Sequence, residues 1–499
     1  MPALEQTLMT AIHKNKILLV TAIILLSGCT GKPGANITES TELPIIYPDY
    51  SGIILPANIA PLNFLIENDG SSFYAELTSD GAQSVGIKSK DKLIRIPQTK
   101  WKELVSTDDF KDLNIDIFVK NEDGGWTKFR RITNRIAPEP VDPYLSYRLL
   151  YPGYESWTEL SIRQRNLESF REWPIIENSV ADDNCINCHS FNNGNTGDFL
   201  FHMRGTMGGT YFYSGGELKK TNLKTNEMKN GAVYPRWHPS GRFVAFSSNR
   251  IVQQFHSADN KKVEVSDLES SLVLFDLEKN EMIPVLFPDM EKYMDTYPEW
   301  SPDGKYIYFC RTEQIGENYD YRQIRYNLCR AAFDQENRSF GVPETIFDAA
   351  KDSKSISFPR ISPDGRLLAM TIQDYGCFPI WHKETDIISL DLETMKTVKP
   401  GLNSDFTDSY HSWSSNGRWL VFSSKRGDGL TARPYLAYID RDGNSGRAFI
   451  LPQEDPGFYH RFLKSFNIPE FSNVKVNLNP GEIRKTAKAR AIQAGWSGE

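Results

Sequence analysis

Two cysteines and a histidine at close spacing carry the most specific chemistry in this chain of 499 residues. They stand in the run Asp183-Asn184-Cys185-Ile186-Asn187-Cys188-His189-Ser190. Two thiols at this spacing can form thioether bonds to a porphyrin, and the adjacent imidazole can reach the iron as proximal ligand. Cys185, Cys188 and His189 therefore match the C-x-x-C-H signature of c-type haem attachment.

Three other interpretations of the two cysteines stay open: a local disulfide, a redox dithiol, and one half of a zinc site. A zinc site usually has a second Cys/His pair at similar spacing, and the sequence has none. A thioredoxin-like dithiol belongs in a βαβ context, which the surrounding pattern does not indicate. Covalent haem c is the favoured cofactor, and a structural disulfide is the main alternative.

An iron with two protein ligands needs a second side chain opposite His189. His202 and Met203 follow it 13 and 14 residues later. Neighbouring residues of a strand point to opposite faces, so only one of the two should reach the iron. We predict Met203 as the distal ligand, which would raise the reduction potential, with His202 as the alternative. Met207 and His238 are further candidates.

The N-terminus has the pattern of an export signal. Lys14 and Lys16 precede residues 17–26, which are apolar except for one threonine. This run is shorter than the ~20 residues of a membrane-spanning helix and suits the central region of a signal peptide. We therefore predict a signal peptide over residues 1–28.

The end of that signal, Leu26-Ser27-Gly28-Cys29, resembles the lipobox of bacterial lipoproteins. The resemblance implies that Cys29 is acylated and anchors the mature chain to a membrane. Residues 29–42 are small and polar and predict a flexible tether. We expect a lipid-anchored protein of the bacterial cell envelope that faces the periplasm, the side on which haem c is attached.

Composition narrows the classes of partner. The net charge is −7, and the only basic tract is the short stretch 485–490, which argues against a nucleic-acid partner. Aromatic residues at 12%, with 28 Pro and 34 Gly, favour a chain rich in strands and turns. Three cysteines remain, Cys310, Cys329 and Cys377. We predict that they fill the core, although a disulfide between the first two is conceivable.

An internal repeat organises the second half of the chain. Each copy has an aromatic residue, a short spacer, a turn of the Ser-Pro-Asp-Gly type and a hydrophobic strand. The four copies are Tyr234-Pro235-Arg236-Trp237-His238-Pro239-Ser240-Gly241-Arg242, Tyr297-Pro298-Glu299-Trp300-Ser301-Pro302-Asp303-Gly304-Lys305, Phe358-Pro359-Arg360-Ile361-Ser362-Pro363-Asp364-Gly365-Arg366 and Tyr410-His411-Ser412-Trp413-Ser414-Ser415-Asn416-Gly417-Arg418. Proline presets φ and glycine accepts positive φ, so each copy closes a tight turn. Repeats of this length with several strands each predict a β-propeller.

These repeats resemble those of the periplasmic propeller protein of the Tol system and its relatives, over about residues 230–450. The lipobox, the C-x-x-C-H motif and the repeats together resemble a group of Bacteroidetes lipoproteins labelled Tol-like propeller or cytochrome c proteins. The resemblance implies an architecture and leaves the activity open.

The predicted fold class is mainly β. Residues 43–156 alternate as in a β-sandwich-like domain, and residues 157–198 form a haem segment that begins with a helix over 157–172. A propeller of five or six blades follows over residues 199–475, and residues 476–499 form a C-terminal tail.

These observations predict a membrane-anchored c-type cytochrome-like lipoprotein used for electron transfer or redox sensing. Its propeller would dock an unknown protein of the cell envelope. The alternative is an envelope binding or scaffold protein whose haem is structural or absent. No catalytic residue is predicted, because the sequence has neither a G-x-S-x-G elbow nor a zinc hydrolase signature.

Overall fold

The computed structural model describes residues 32–34, 36–152, 159–256, 261–316 and 320–498. The predicted signal peptide and Cys29 lie outside the described residues. Within them the chain is almost entirely β, which confirms the predicted fold class. An N-terminal domain of two sheets and one helix precedes a closed propeller of six blades.

The N-terminal domain contains ten short strands and one helix. They are β1 (Ile37–Glu39), β2 (Ile46–Tyr47), β3 (Ile54–Pro56), β4 (Phe64–Ile66), β5 (Ser72–Ser79), β6 (Val85–Ser89), β7 (Leu93–Ile94), α1 (Gln98–Val105), β8 (Lys111–Lys120), β9 (Trp126–Lys128) and β10 (Ile132–Ala137). β2, β4 and β7 form a small sheet and the other seven strands form a larger one. β1 lies within residues 29–42, so the described end of the predicted tether is a strand paired with β9.

The propeller strands follow in chain order. They are β11 (Tyr144–Leu150), β12 (Ser161–Asn166), β13 (Glu172–Glu177), β14 (Ile186–Asn192), β15 (Asn195–Met203), β16 (Gly209–Ser214), β17 (Glu217–Asn222), β18 (Ala232–Trp237), β19 (Phe243–Phe255), β20 (Val263–Asp276), β21 (Glu281–Pro284), β22 (Tyr293–Trp300), β23 (Tyr306–Glu313), β24 (Asn327–Asp334), β25 (Ser339–Phe340), β26 (Glu344–Phe347), β27 (Ser355–Ile361), β28 (Leu367–Gln373), β29 (Asp386–Asp391), β30 (Thr397–Val398), β31 (Asp408–Trp413), β32 (Trp419–Ser424), β33 (Arg433–Tyr438), β34 (Phe449–Ile450) and β35 (Ser465–Ser472).

The ring closes through a strand from the far end of the chain. Blades two to six each start from an inner strand, which is β14, β18, β22, β27 or β31. Blade one takes its inner strand, β35, from near the C-terminus and its outer strands, β11 to β13, from before the C-x-x-C-H motif. Each blade can therefore bury its faces against two neighbours.

The predicted helix over residues 157–172 is wrong. The described part of this stretch contains β12 and the start of β13, two outer strands of blade one. Its Glu and Arg residues favour a helix, but tertiary pairing overrides that local preference. The propeller consequently begins at Tyr144 rather than at residue 199, and the C-x-x-C-H motif lies inside it.

Hydrogen bonds stabilise the repeated turns and connect neighbouring blades. In the second copy, the Ser301 hydroxyl donates to Asp303, accepts from the N–H of Tyr306, and lies before Gly304 at φ 71°. A tryptophan at the end of three inner strands donates its indole N–H to a backbone carbonyl of the preceding blade. These bonds run from Trp237 to Ser190, from Trp300 to Arg236 and from Trp413 to Arg360.

The N-terminal domain and the C-terminal tail both pack against the propeller. The N-terminal domain shares one hydrophobic core with blade six, and Trp419 of that blade donates to the carbonyl of Glu139 at 2.8 Å. A short helix, α2 (Phe458–Arg461), precedes β35, and the tail contains α3 (Pro480–Lys488), β36 (Ile492–Gln493) and β37 (Gly495–Trp496). β36 and β37 add parallel edge strands to blades two and three.

Candidate functional site at the C-x-x-C-H motif

The motif lies at the start of the inner strand of blade two. Cys185 directly precedes β14, and Cys188 and His189 lie within it. The pairing of β14 with β15 shifts between Asn187 and Ser190, so Cys188 and His189 form a bulge. Cys188 has φ 51°, in the left-handed region.

The same bulge occurs in all six inner strands. At the equivalent position, with φ between 43° and 54°, stand Cys188, Tyr234, Tyr297, Phe358, Tyr410 and Ile468. The next residue is proline in four blades and histidine in the other two. Cys188 and His189 thus replace the aromatic–proline pair of the repeat. We call the six residues at the bulge the bulge ring.

The two thiols are partly exposed and lie among cationic groups. Cys185 accepts a long contact of 3.8 Å from the side-chain amide of Asn187. Burial raises the pKa of the Cys188 thiol, and the guanidinium groups of Arg148 and Arg204 act in the opposite direction. These two arginines were not predicted, and only Arg204 adjoins a stretch that the sequence marked out.

His189 is buried, and one of its ring nitrogens has no partner. Its Nε2 makes no hydrogen bond within the described chain, although the ring does bond to the backbone of Ile468. Burial and the charge of Arg148 lower the imidazole pKa to about 3, so the ring is neutral, which is the form that ligates metals. The cavity beside it, which Cys188 also lines, has a volume of about 40 Å³.

His202 and Met203 point away from each other, as the strand pattern predicted. His202 pairs with Asn187 in the sheet and lines a groove of about 410 Å³ between blades two and three. Its Nδ1 lies 2.8 Å from the hydroxyl of Thr210, and its buried Nε2 has no hydrogen-bond partner among the described residues. Burial and then Arg204 lower its pKa to about 3. Met203 is 3% exposed and packs in the apolar cluster shared with blade one, and it is also among the residues that line the groove.

The other sequence candidates have structural partners. His238 is bonded at both ring nitrogens, to Ser240 and to the carbonyl of Gly304. Met207 lies in the same apolar cluster as Met203.

The remaining cysteines are free thiols in the core. Cys310 and Cys329 pack in different clusters, on opposite faces of their blade, and are not bonded to each other. Cys377 donates to the carboxylate of Asp267 at 3.0 Å. All three are buried, as a role in the core predicts.

The donor set fits a porphyrin only in part. Two partly exposed thiols and two buried imidazole nitrogens without partners suit covalent attachment and iron ligation. The cavity at His189, however, holds only two or three water molecules, whereas the groove at His202 has the size of a small-molecule site, about 300–1,000 Å³. The groove is lined by His202 and by Asn187, whereas Cys188 lines the small cavity at His189. The space for a large ligand and the Cys188 thiol therefore lie at different cavities.

The described residues contain neither a metal-binding cluster nor a membrane-spanning helix. No group of three or more His, Cys, Asp or Glu side chains is placed to hold a metal ion there. Nor does any helix among these residues have the length and apolar character needed to cross a membrane.

The sequence matches no protein-family model and no curated protein. Similar solved structures include oligogalacturonate lyase from Vibrio parahaemolyticus, at 11% identity and TM-score 0.34, covering 75% of this chain and 100% of that one. An auxiliary nutrient binding protein from Bacteroides thetaiotaomicron has 11% identity and TM-score 0.33, covering 78% and 99%. A puromycin-hydrolyzing peptidase from Mycobacterium tuberculosis has 12% identity and TM-score 0.33, covering 83% and 57%. We transfer no activity from these likenesses.

Proposed function

We propose that Cys185 and Cys188 hold a haem through thioether bonds, and that the protein serves electron transfer or redox sensing at the cell envelope. The observation that carries the proposal is the placement of both thiols. Both residues are half-buried at the inner strand of blade two; Arg148 interacts electrostatically with both thiols, and Arg204 with that of Cys188. Guanidinium groups at this place would pair with the propionates of the porphyrin.

The chain's own histidines have distinct parts in this proposal. His202 would offer Nε2 to the iron from the groove, while the hydroxyl of Thr210 holds its Nδ1 and fixes the ring. His189 could ligate only if its end of the channel opened, because the cavity beside it is too small. Met203, the distal ligand that the sequence predicted, packs in an apolar cluster and also lines the groove, so it stays a candidate for the iron. When bound, the haem supplies one-electron chemistry.

The anchor and the partner belong to the same proposal. Acylation of Cys29 would hold the propeller at a membrane, facing the periplasm. An envelope protein would dock on the propeller and exchange electrons with the haem. A haem in the groove would have an edge near the surface, which favours rapid exchange with such a partner.

The test is the recovery of haem that survives denaturation after expression of the mature chain with haem c maturation machinery. We expect covalent haem in the parent and in Cys329→Ala, which removes a core thiol, and none in Cys185→Ala/Cys188→Ala. Loss of a low-spin spectrum in His202→Ala, but not in Met203→Leu, would support His202 as the iron ligand and the groove as the place of the haem. An apoprotein, obtained while a control cytochrome matures normally, would refute haem attachment.

A second candidate function is that of an envelope binding or scaffold protein without haem. One observation favours it: Cys188 and His189 occupy the aromatic–proline position of the bulge ring, so their place also has a structural explanation. Under this alternative the double cysteine variant would keep its partner in a pull-down, and the purified wild-type protein would carry no haem.

A further inference from the structure

A second ring of side chains crosses the channel two residues beyond the bulge ring, towards the Ser-Pro-Asp-Gly turns. We call it the polar ring; in blade order it consists of Glu470, Ser190, Arg236, Glu299, Arg360 and Ser412. Every member is polar, although the channel around it is largely buried.

One half of the polar ring carries a net positive charge. Arg236 of blade three contacts the Glu299 carboxylate at 2.6 and 3.0 Å, and Arg360 of blade five lies 3.3 Å from the same carboxylate. Among the described residues, Glu299 is the carboxylate within ion-pair distance of both guanidinium groups, and Glu470 acts on them electrostatically from further away. Burial and then the charge of Arg236 lower the pKa of Arg360 to about 9, which reflects this incomplete compensation.

The opposite half carries a carboxylate that has no ion pair. Glu470 of blade one accepts one hydrogen bond, from the backbone N–H of Phe191 at 3.1 Å. Within the described part of the chain, no cationic nitrogen lies within 4.0 Å of it. Beside it in the ring, the Ser190 hydroxyl is buried, and no described residue is its hydrogen-bond partner. Both groups are capable of binding something that the chain does not supply.

A cavity of about 310 Å³ lies directly against this ring, at the turn end of the channel. Its volume is at the lower end of the range for small-molecule sites, about 300–1,000 Å³. Its lining includes Arg236, Arg360, Glu299 and Glu470, together with tryptophan and proline side chains and with further polar groups, namely Asp142, Asn193 and several serines. Charged groups of both signs beside indole and proline rings suit a ligand that has two opposite charges and an apolar part.

We propose that this cavity binds a small zwitterion, an α-amino acid with an apolar side chain. Its carboxylate would lie against Arg236 and Arg360, because a guanidinium recognises a carboxylate with two parallel hydrogen bonds. Its ammonium group would pair with Glu470, which lines the cavity. The apolar side chain would face the tryptophan side chains. Arg236, Arg360 and Glu470 also line the small cavity at Cys188 and His189, whereas none of the three lines the groove at His202.

The test is calorimetric titration of the mature chain with L-leucine, with acetate and with methylammonium. We expect L-leucine to bind with a Kd at least about tenfold lower than either singly charged probe. Glu470→Gln and Arg360→Lys should each raise the Kd for L-leucine about tenfold or more. Glu227→Gln makes the same change at an exposed position and should leave the Kd unchanged.

Folding of the variants is checked separately by thermal unfolding without ligand. Glu470→Gln keeps the acceptor for the N–H of Phe191, so this variant should unfold at the parent temperature or above. Absence of L-leucine binding at millimolar concentration would overturn the proposal. Equal affinity for acetate would reduce the site to an anion site, and an unchanged Kd in folded Glu470→Gln would exclude the assigned ammonium partner.

Discussion

The two ends of the propeller channel are built from the same six strands, yet they differ in chemistry. At the motif end, the bulge ring contains four aromatic residues, an isoleucine and Cys188. Two residues further along, the polar ring contains two arginines, two glutamates and two serines. The strand period of two places both rings towards the channel, so a single repeat can specify an apolar layer and a polar layer.

The two rings show that the repeat keeps its backbone geometry while its side chains differ between blades. The backbone bulge is kept in every blade, whereas the side chains on it vary. Blade two departs most, because Cys188, His189 and Ser190 replace an aromatic residue, a proline and a charged residue. A conserved backbone geometry can therefore present new chemistry without any change of fold.

The largest expected effect would come from breaking the charge network at the turn end. Glu299→Gln leaves Arg236 and Arg360 buried without their shared carboxylate, and the free energy of unfolding should fall by about 3–5 kcal/mol. Cys188→Ala, at the motif end, removes a partly exposed thiol and should cost about 1 kcal/mol or less. Urea unfolding measures both, with Glu344→Gln in an exposed ion pair as control. Equal losses of unfolding free energy in Glu299→Gln and Cys188→Ala would contradict the expected difference between the polar ring and the bulge ring.

A smaller difference in stability is expected between alanine substitutions in two Ser-Pro-Asp-Gly turns. Gly304 and Gly365 have φ of 71° and 77°, so alanine at either position costs about 1–2 kcal/mol of conformational strain. A Cβ on Gly304 would lie 2.4 Å from Nε2 of His238, whereas on Gly365 its nearest neighbour would be 3.8 Å away. Gly304→Ala should therefore lose about 1–3 kcal/mol more than Gly365→Ala in urea unfolding. Identical losses would show that the ring of His238 moves aside freely.

The smallest effect is a change in the pH dependence of stability. Burial raises the pKa of Glu470 to about 7, while Arg236 and Arg360 act against that rise and Glu299 adds to it. A carboxyl group with a raised folded-state pKa binds more protons when folded, so stability falls as pH rises from about 4.5 to 7. Glu470→Gln should match the parent at pH 5 and exceed it by about 1–2 kcal/mol at pH 8.

Thermal and urea unfolding of both proteins at pH 5 and pH 8 measure this difference. Glu227→Gln should follow the parent at both values, because its side chain is exposed. A parallel pH dependence in the parent and Glu470→Gln would mean that an unidentified cation already compensates the carboxylate.

Much of the fold could be predicted from local signals. The Ser-Pro-Asp-Gly turns have a fixed chemistry, in which serine bonds the aspartate and glycine takes positive φ, so the blades from Tyr234 onward were recognisable. The predicted propeller, residues 199–475, includes the inner strand of blade one at residues 465–472, but its outer strands at residues 144–177 were assigned to other domains. No local sequence pattern indicates that strands so far apart in the chain will pair.

The candidate site was predictable by residue type but not by arrangement. The sequence identified Cys185, Cys188, His189, His202 and Met203, and strand alternation correctly separated the last two. It could not show that His189 faces a small interior cavity while His202 faces a groove. Whether a side chain meets a cavity depends on the neighbouring blade, and that contact is tertiary.

The sequence by itself determined the turns, the mainly β character and the identity of the thiols and imidazoles, because these depend on neighbouring residues. Tertiary structure alone decided that Arg236, Glu299, Arg360 and Glu470 meet across one channel. These four residues come from four blades and up to 234 positions apart in the chain. These four side chains come close together only because β35 closes the ring of blades. In a closed ring, every inner strand faces the inner strands of the other blades across the channel.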